Sequence, residues 1–209
     1  GAFLGPLLAV GLMLLWANDF RAVFWVAVVP GLLAVLVLVL GVQEPAQARP
    51  GRGINPIRRE NLRRLSRAYW SVVILGACFS LARFSEAFLL LRAEQGGLAV
   101  SWVPLVLVVM NLAYSLSAYP VGLLADRMSH TTLLAIGLLV LLVADLLLAA
   151  SNHWAMVLLG VAVWGLHLGM TQGLLATMIA HTAPADLRGT AFGAFNMVSG
   201  LALLIASVL

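Results

Sequence analysis

The stretch "TTLLAIGLLVLLVADLLLAA", residues 131–150, contains a single charged residue, Asp145. At a rise of about 1.5 Å per residue, a helix of this length crosses the roughly 30 Å hydrocarbon core of a bilayer. The whole chain of 209 residues shares this character, because 63% of its residues are hydrophobic and only 10% are charged. A soluble domain carries about 25% charged residues. The sequence therefore predicts an all-α membrane protein, a polytopic bundle of transmembrane helices that contacts the lipid bilayer.

Seven stretches of the chain are apolar enough to form such spans. The predicted spans are 1–17, 21–42, 69–92, 101–123, 131–150, 153–180 and 190–209. The chain begins inside the first span and ends inside the last, so we expect a bundle that is truncated at both ends. Only one connection is long, residues 43–68, and it is rich in Pro, Gly and Arg. The expected parts are therefore 1–42 with two spans, the loop 43–68, and 69–209 with five spans.

The arginines indicate how the bundle is oriented. All twelve basic residues are Arg, and seven of them lie in the loop 43–68. Together with the loops at 124–130 and 181–189, that side holds nine arginines, whereas the opposite loops hold two. The positive-inside rule therefore places the long loop in the cytoplasm. An arginine cluster beside apolar spans is typical of such a topology signal, so no nucleic acid is expected as a partner.

Several classes of chemistry lack the residues that they need. The lone Cys78 excludes a disulfide framework and a cysteine-based metal site. His153, His167 and His181 are widely spaced along the chain, and no Gly-x-Ser-x-Gly occurs. A retinal protein needs a Schiff-base lysine, which this chain does not contain. We therefore expect no enzyme activity, no cofactor and no metal site.

The stretch "GAFLGPLLAVG", residues 1–11, combines small residues with a proline inside a predicted span. Gly1 and Gly5 are four residues apart, a spacing that lets another helix approach closely. Pro6 removes a backbone hydrogen bond and favours a bend. This pattern also occurs in ordinary helix packing.

Two further stretches lie at predicted cytoplasmic turns. In "GLLADRMSH", residues 122–130, the glycine permits close approach, and the Asp can face the N-terminus of a neighbouring helix. In "HTAPADLRGTAFGAFN", residues 181–196, a Pro-containing turn leads into the last span. Ordinary tight turns also favour Asp-Arg, and this alternative stays open. The residues that these two patterns single out are Gly122, Asp126, Arg127, Arg188 and Gly189.

The ordered set of stretches resembles the major facilitator superfamily (MFS) of secondary transporters. "GAFLGPLLAVG" is similar to the antiporter motif of the fifth helix, and "GLLADRMSH" to the second-half loop motif Gly-x-x-x-Asp-Arg-x-Gly-Arg-Arg. Ser129, His130 and Thr131 replace the last Gly-Arg-Arg of that motif. "PADLRGTAFG" resembles the loop before helix 11, and residues 43–68 match the central cytoplasmic loop. The chain thus resembles helices 5 to 11 of twelve.

The resemblance implies secondary active transport of a small-molecule substrate by alternating access. The antiporter-like stretch favours proton-coupled efflux of that substrate, with protons as the coupling partner. An uptake symporter and a multi-span receptor without transport activity are the alternatives.

Arg83 and Glu86 lie three residues apart within the predicted span 69–92, just beyond its midpoint. On one continuous helix they would share a face and could pair. A structural ion pair is one interpretation, and handling of substrate or protons is the other. Helix 7 lines the central cavity in the resembling family, which favours the second interpretation. Glu86 would then carry the proton, and Arg83 would hold an anionic substrate group or neutralise Glu86.

Other polar residues near the middle of the spans are further candidates for contact with the substrate or protons. Hydrogen bonding between helices, without any ligand, is the alternative for each of them. For Asp145, a role at the outer interface or in packing is one interpretation, and ion coupling is the alternative. The full candidate set is Arg83, Glu86, Asn111, Tyr114, His167, Gln172 and Asn196.

Overall fold

The computed structural model describes residues 4–16, 19–41 and 59–208, and within these ranges it contains α-helices and two 3₁₀ turns but no strand. Gly1 and residues 43–58 of the long loop therefore lie outside the described residues. The helices are α1 (Leu4–Leu15), α2 (Phe20–Gly41), α3 (Arg59–Arg63), α4 (Arg67–Ala82), α5 (Glu86–Gln95), α6 (Leu105–Ala125), α7 (His130–Ala150), α8 (Trp154–Thr182) and α9 (Arg188–Val208).

Six segments are long and apolar enough to cross a membrane. They are Arg21–Gly41, Arg67–Gln95, Val100–Ala125, His130–Ala150, Trp154–Thr182 and Ala185–Val208. Each corresponds to a predicted span, and the shorter apolar helix α1 corresponds to the first one. The prediction of an all-α, polytopic membrane bundle is confirmed.

The segment Arg67–Gln95 is not the continuous helix that its hydropathy predicts. Helix α4 ends at Ala82, and the backbone is extended at Arg83 and at Ser85 before α5 begins. The Ser85 side chain caps the new helix by accepting a hydrogen bond from the Ala87 N–H at 3.4 Å. Arg83 and Glu86 therefore do not share a helix face, and no ion pair joins them in the described part of the chain. The interpretation of these two residues as a structural ion pair therefore does not match the structure.

Helix α8 is the most buried of the spanning helices and lies at the centre of the bundle. It crosses α6 at two glycines, where a Cβ on Gly165 would lie 2.2 Å from the Met110 carbonyl oxygen. A Cβ on Gly169 would lie 2.0 Å from the Ser117 hydroxyl oxygen. Only glycine permits this approach of the two backbones, the arrangement that small residues four apart produce in membranes.

The buried side chains form two apolar clusters, one on each side of mid-depth. The inner cluster, on the side of residues 59–66 and 183–187, includes Tyr69, Leu133 and Ile179. The outer cluster includes Leu89, Leu141 and Trp164. The Trp164 ring lies 4.7 Å from the ring of Phe84, inside the α4–α5 break. The break thus packs directly on the centre of the bundle.

Polar contacts fasten both ends of this bundle. On the inner side, Arg64 forms a 2.7 Å ion pair with Asp186, and the Tyr69 hydroxyl donates to the Ala191 carbonyl oxygen at 2.9 Å. Leu65 is buried in the inner cluster, so the end of the long loop packs on the bundle. On the outer side, Arg92 Nε donates to the Leu148 carbonyl oxygen at 3.1 Å and Nη2 donates to that of Ser151, which caps α7.

Candidate functional site

A cavity of about 300 Å³ lies between α4, α8 and α9. It brings together four of the seven predicted candidates, which come from three different helical segments. These are Arg83, His167, Gln172 and Asn196. The sequence could nominate each residue singly, and packing of the three segments assembles them into one site.

The cavity lies near the middle of the bundle. Arg83, His167 and Asn196 are each within two residues of the centre of their membrane-length segments. At 1.5 Å per residue this places their backbones within about 3 Å of mid-depth. Polar side chains at this depth are costly in lipid and normally face a partner or a wet cavity.

His167 is held rigidly by both neighbouring helices. Its Nδ1 and the Gly137 carbonyl oxygen on α7 are 2.7 Å apart, and its ring stacks on Phe79 of α4 at 6.0 Å between centroids. Because a carbonyl oxygen only accepts, Nδ1 must carry the hydrogen, which leaves Nε2 as the acceptor of the neutral ring. His167 therefore both forms a hydrogen bond across helices and lines the cavity.

Arg83 lies where α4 ends, and its half-buried side chain lines the cavity. No hydrogen bond or ion pair to its guanidinium occurs within residues 4–16, 19–41 and 59–208. The backbone is extended at Arg83 because α4 ends here. Arg83 therefore does not lie on the continuous helical face that the sequence spacing predicts.

The cavity also contains lining residues that the sequence interpretation did not name as candidates. Phe192, Phe195 and Ser199 recur with the predicted Asn196 at helical spacing on one face of α9, and all four line the cavity. The Ser199 hydroxyl is buried without a hydrogen-bond partner in the described chain. This i, i+3, i+4, i+7 pattern is visible in the sequence and could have identified the whole face.

Three predicted candidates lie elsewhere. Glu86 is exposed in the first turn of α5 and is not among the residues that line the cavity. Asn111 uses its amide on its own helix, where Nδ2 donates to the Leu107 carbonyl oxygen at 2.8 Å. Tyr114 lines a different cavity of about 250 Å³. Asn111 and Tyr114 on α6 are therefore not among the residues that line the central cavity.

The cavity that Tyr114 lines contains part of the "GLLADRMSH" stretch. Gly122, Asp126 and His130 line it together with residues of α8, whereas Arg127 is exposed and lies outside it. No heavy atom of the described chain lies within 4 Å of a Cβ built on Gly122. The predicted close approach at this glycine is therefore not made within this chain.

The remaining motif residues lie on open faces of the bundle. Gly5 and Gly189 also have no described atom within 4 Å of a built Cβ, and Pro6 lies inside α1. Arg188 begins α9 with an exposed side chain. These small faces are available to helices outside this chain.

A third cavity, of about 400 Å³, lies on the outer side between α5 and α7. Arg92 and Asp145 both line it, together with Phe84 and Phe88. Asp145 Oδ1 is buried without a hydrogen-bond partner in the described part of the chain. Of the functions predicted for Asp145, its position fits one near the outer interface.

Comparison with known proteins agrees with this architecture. The family model of the Major Facilitator Superfamily matches residues 1–207. The chain belongs to the Major Facilitator Superfamily. The resemblance found in the sequence is thereby confirmed, and MFS proteins are transporters rather than enzymes.

The MFS relatives are distant in sequence. An uncharacterized MFS-type transporter of Methanocaldococcus jannaschii is 26% identical over all of this chain and 53% of its own length. Uncharacterized proteins of Mycobacterium bovis and Mycobacterium tuberculosis are 27% identical over 97% of this chain and 50% of their own length. The chain thus spans about half the length of the curated relatives it matches. No solved structure matches the chain.

Proposed function

We propose that the full-length protein is a proton-coupled secondary transporter of the bacterial inner membrane, and that the cavity around Arg83 and His167 is half of its substrate site. The observation that carries the proposal is the convergence of Arg83, His167 and Asn196 at mid-depth. Substrate sites of secondary transporters lie near the midplane between two structural repeats, which rock around them to give alternating access.

The open faces of the chain fit this arrangement. At the glycines of two motif stretches, Gly5 and Gly122, no other element of the described chain lies within 4 Å of a built Cβ. The relatives are about twice as long, and we expect further helices of the full-length protein to cover such faces. In a rocking mechanism, faces of small residues that make and break close contacts are what the moving boundary requires.

Proton coupling is assigned to His167. It is the one lining residue whose ordinary pKa, about 6.5, makes it change charge near physiological pH. Its Nδ1 is fixed on Gly137, so a proton taken from the cavity would bind at Nε2. The alternative carrier is Glu86, which is exposed outside the lining.

Export by proton antiport is the first candidate for direction, and it rests on the antiporter-like Gly5-Pro6 stretch in α1. Uptake by proton symport is the second candidate, and the cavity favours it. Antiport requires the proton and the substrate to exclude each other at one site. The lining contains Arg83 and His167 but no Asp or Glu, so it offers no carboxylate for which a proton and a cationic substrate would compete.

Proton movement in proteoliposomes that contain the full-length protein tests the coupling. Candidate compounds are first screened by counterflow, and a pH-sensitive dye inside the vesicles then reports protons when each active compound is added outside. Symport predicts acidification of the interior as the compound enters, and antiport predicts alkalinisation. Counterflow of a compound without any protein-dependent proton movement would contradict the coupling.

A further inference from the structure

The described lining of the central cavity contains a positively charged residue but no negatively charged one. Among the described residues, Arg83 is the only one with a permanent charge that lines the cavity, since no Asp, Glu or second Arg of the described ranges borders it. A guanidinium stays protonated in proteins, so this charge is always present. The described part of the chain holds one ion pair, Arg64–Asp186, and that pair is exposed on the inner side.

The nearby acidic groups do not neutralise Arg83 by direct contact. Glu86 lies beyond ion-pair distance of Arg83, and its side chain is exposed. Asp145 borders the outer cavity instead. A half-buried guanidinium near the middle of a bilayer is stabilised only when it faces a counter-charge or water. No acidic side chain of the described chain contacts Arg83, so water, another part of the full-length protein or the substrate must stabilise it.

The rest of the lining suits a compound with an apolar body. Phe79, Phe192 and Phe195 contribute aromatic surface, and Gln172 and Asn196 contribute uncharged donors and acceptors. Arg binds planar anionic groups through two parallel N–H···O bonds, a geometry that carboxylates fit. Aromatic rings beside it would hold the body of such a compound.

We propose that the substrate of this site is an organic anion, a small amphipathic compound whose carboxylate or comparable acidic group binds Arg83 while its body packs against the three phenylalanines. The proposal rests on the proposed transport function. The proposal predicts that the cavity prefers anions to cations, and this preference can be measured without knowing the substrate.

Thiol reagents of equal size and opposite charge measure this selection. The substitution Asn196→Cys places a thiol in the cavity of the full-length protein, with all native cysteines, including Cys78, replaced by serine. Reaction rates are compared for 2-sulfonatoethyl, 2-hydroxyethyl and 2-(trimethylammonium)ethyl methanethiosulfonate. Each rate is divided by that of the same reagent with a small free thiol in solution.

We expect the anionic reagent to react fastest on this scale. Arg83→Gln should lower the anion-to-cation rate ratio by about tenfold, because the cavity loses its one permanent charge. Arg83→Lys should keep the ratio high. Arg21→Gln is the matched control, because it removes an equal charge from an exposed site on α2 and should leave the ratio unchanged.

Three outcomes would overturn the proposal. A neutral or cationic preference with Arg83 in place would show that a carboxylate elsewhere in the full-length protein already neutralises it, while the transport function would stand. An anion-to-cation rate ratio that stays the same in Arg83→Gln would show that Arg83 does not determine the charge preference of the cavity. Failure of all three reagents to reach the thiol would remove the cavity as a water-accessible site, and the proposed function would fall as well.

Discussion

At the scale of single residues, His167 and Glu86 show how position decides chemistry. His167 is 1% exposed, hydrogen-bonded to α7, stacked on α4, and still borders the central cavity. Glu86 begins a separate helix beyond the break and is exposed. Hydropathy alone places both residues inside predicted spans. The helix break puts Glu86 at the start of a separate helix, outside the cavity lining.

The substitution His167→Gln should abolish accumulation driven by a pH gradient while keeping counterflow within about threefold of wild type. Gln can donate to the Gly137 carbonyl oxygen but cannot bind a proton in this pH range. Both quantities are measured in proteoliposomes that contain the full-length protein. Glu86→Gln is the comparison, and it should keep gradient-driven accumulation. Loss of that accumulation in Glu86→Gln alone would assign the proton to Glu86.

At the scale of elements, the crossing of α6 and α8 determines where the cavity walls stand. Gly165 lets the α6 backbone approach, with the Met110 carbonyl oxygen 2.2 Å from where a Cβ would lie. Two residues along α8, His167 faces the cavity from this fixed helix. The close contact between these two backbones thus fixes the position of α8, which carries His167.

Gly165→Ala should destabilise the protein by about 1–3 kcal/mol, because the new methyl group overlaps backbone atoms that cannot move aside. Thermal unfolding of the purified full-length protein in detergent measures the effect. Gly173→Ala is the matched control on the same helix, since no atom of the described chain lies within 4 Å of its Cβ position. Equal melting temperatures for the two variants would contradict the close crossing.

Hydropathy predicted the spans and their order, because burial in lipid requires about 20 apolar residues wherever a helix crosses. It did not predict the break at Arg83–Ser85, where a local serine cap outweighs the helical tendency of an apolar segment. The spacing of Gly165 and Gly169 could have indicated the α6–α8 crossing. The grouping of Arg83, His167 and Asn196 depends on how three helices pack, and no local pattern encodes that.

At the scale of the whole molecule, this chain presents a bundle with a polar cavity at mid-depth and open glycine faces. Its MFS relatives are about twice as long. In the proposed alternating-access mechanism, the cavity would lie at the boundary between two halves, and the substrate would contact both of them. The proposed function requires that the substrate bind in this cavity.

Counterflow by the full-length protein with a bulky residue in the cavity tests this claim most directly. Asn196→Trp fills the cavity, whereas Met197→Trp places the same ring on the neighbouring residue, which is 53% exposed and outside the lining. Both variants are compared at equal protein content in the vesicles. We expect Asn196→Trp to lower the counterflow rate more than about tenfold, a loss of over 1.4 kcal/mol, and Met197→Trp to stay within about twofold. Equal rates for the two variants would contradict the assignment of the cavity as the substrate site.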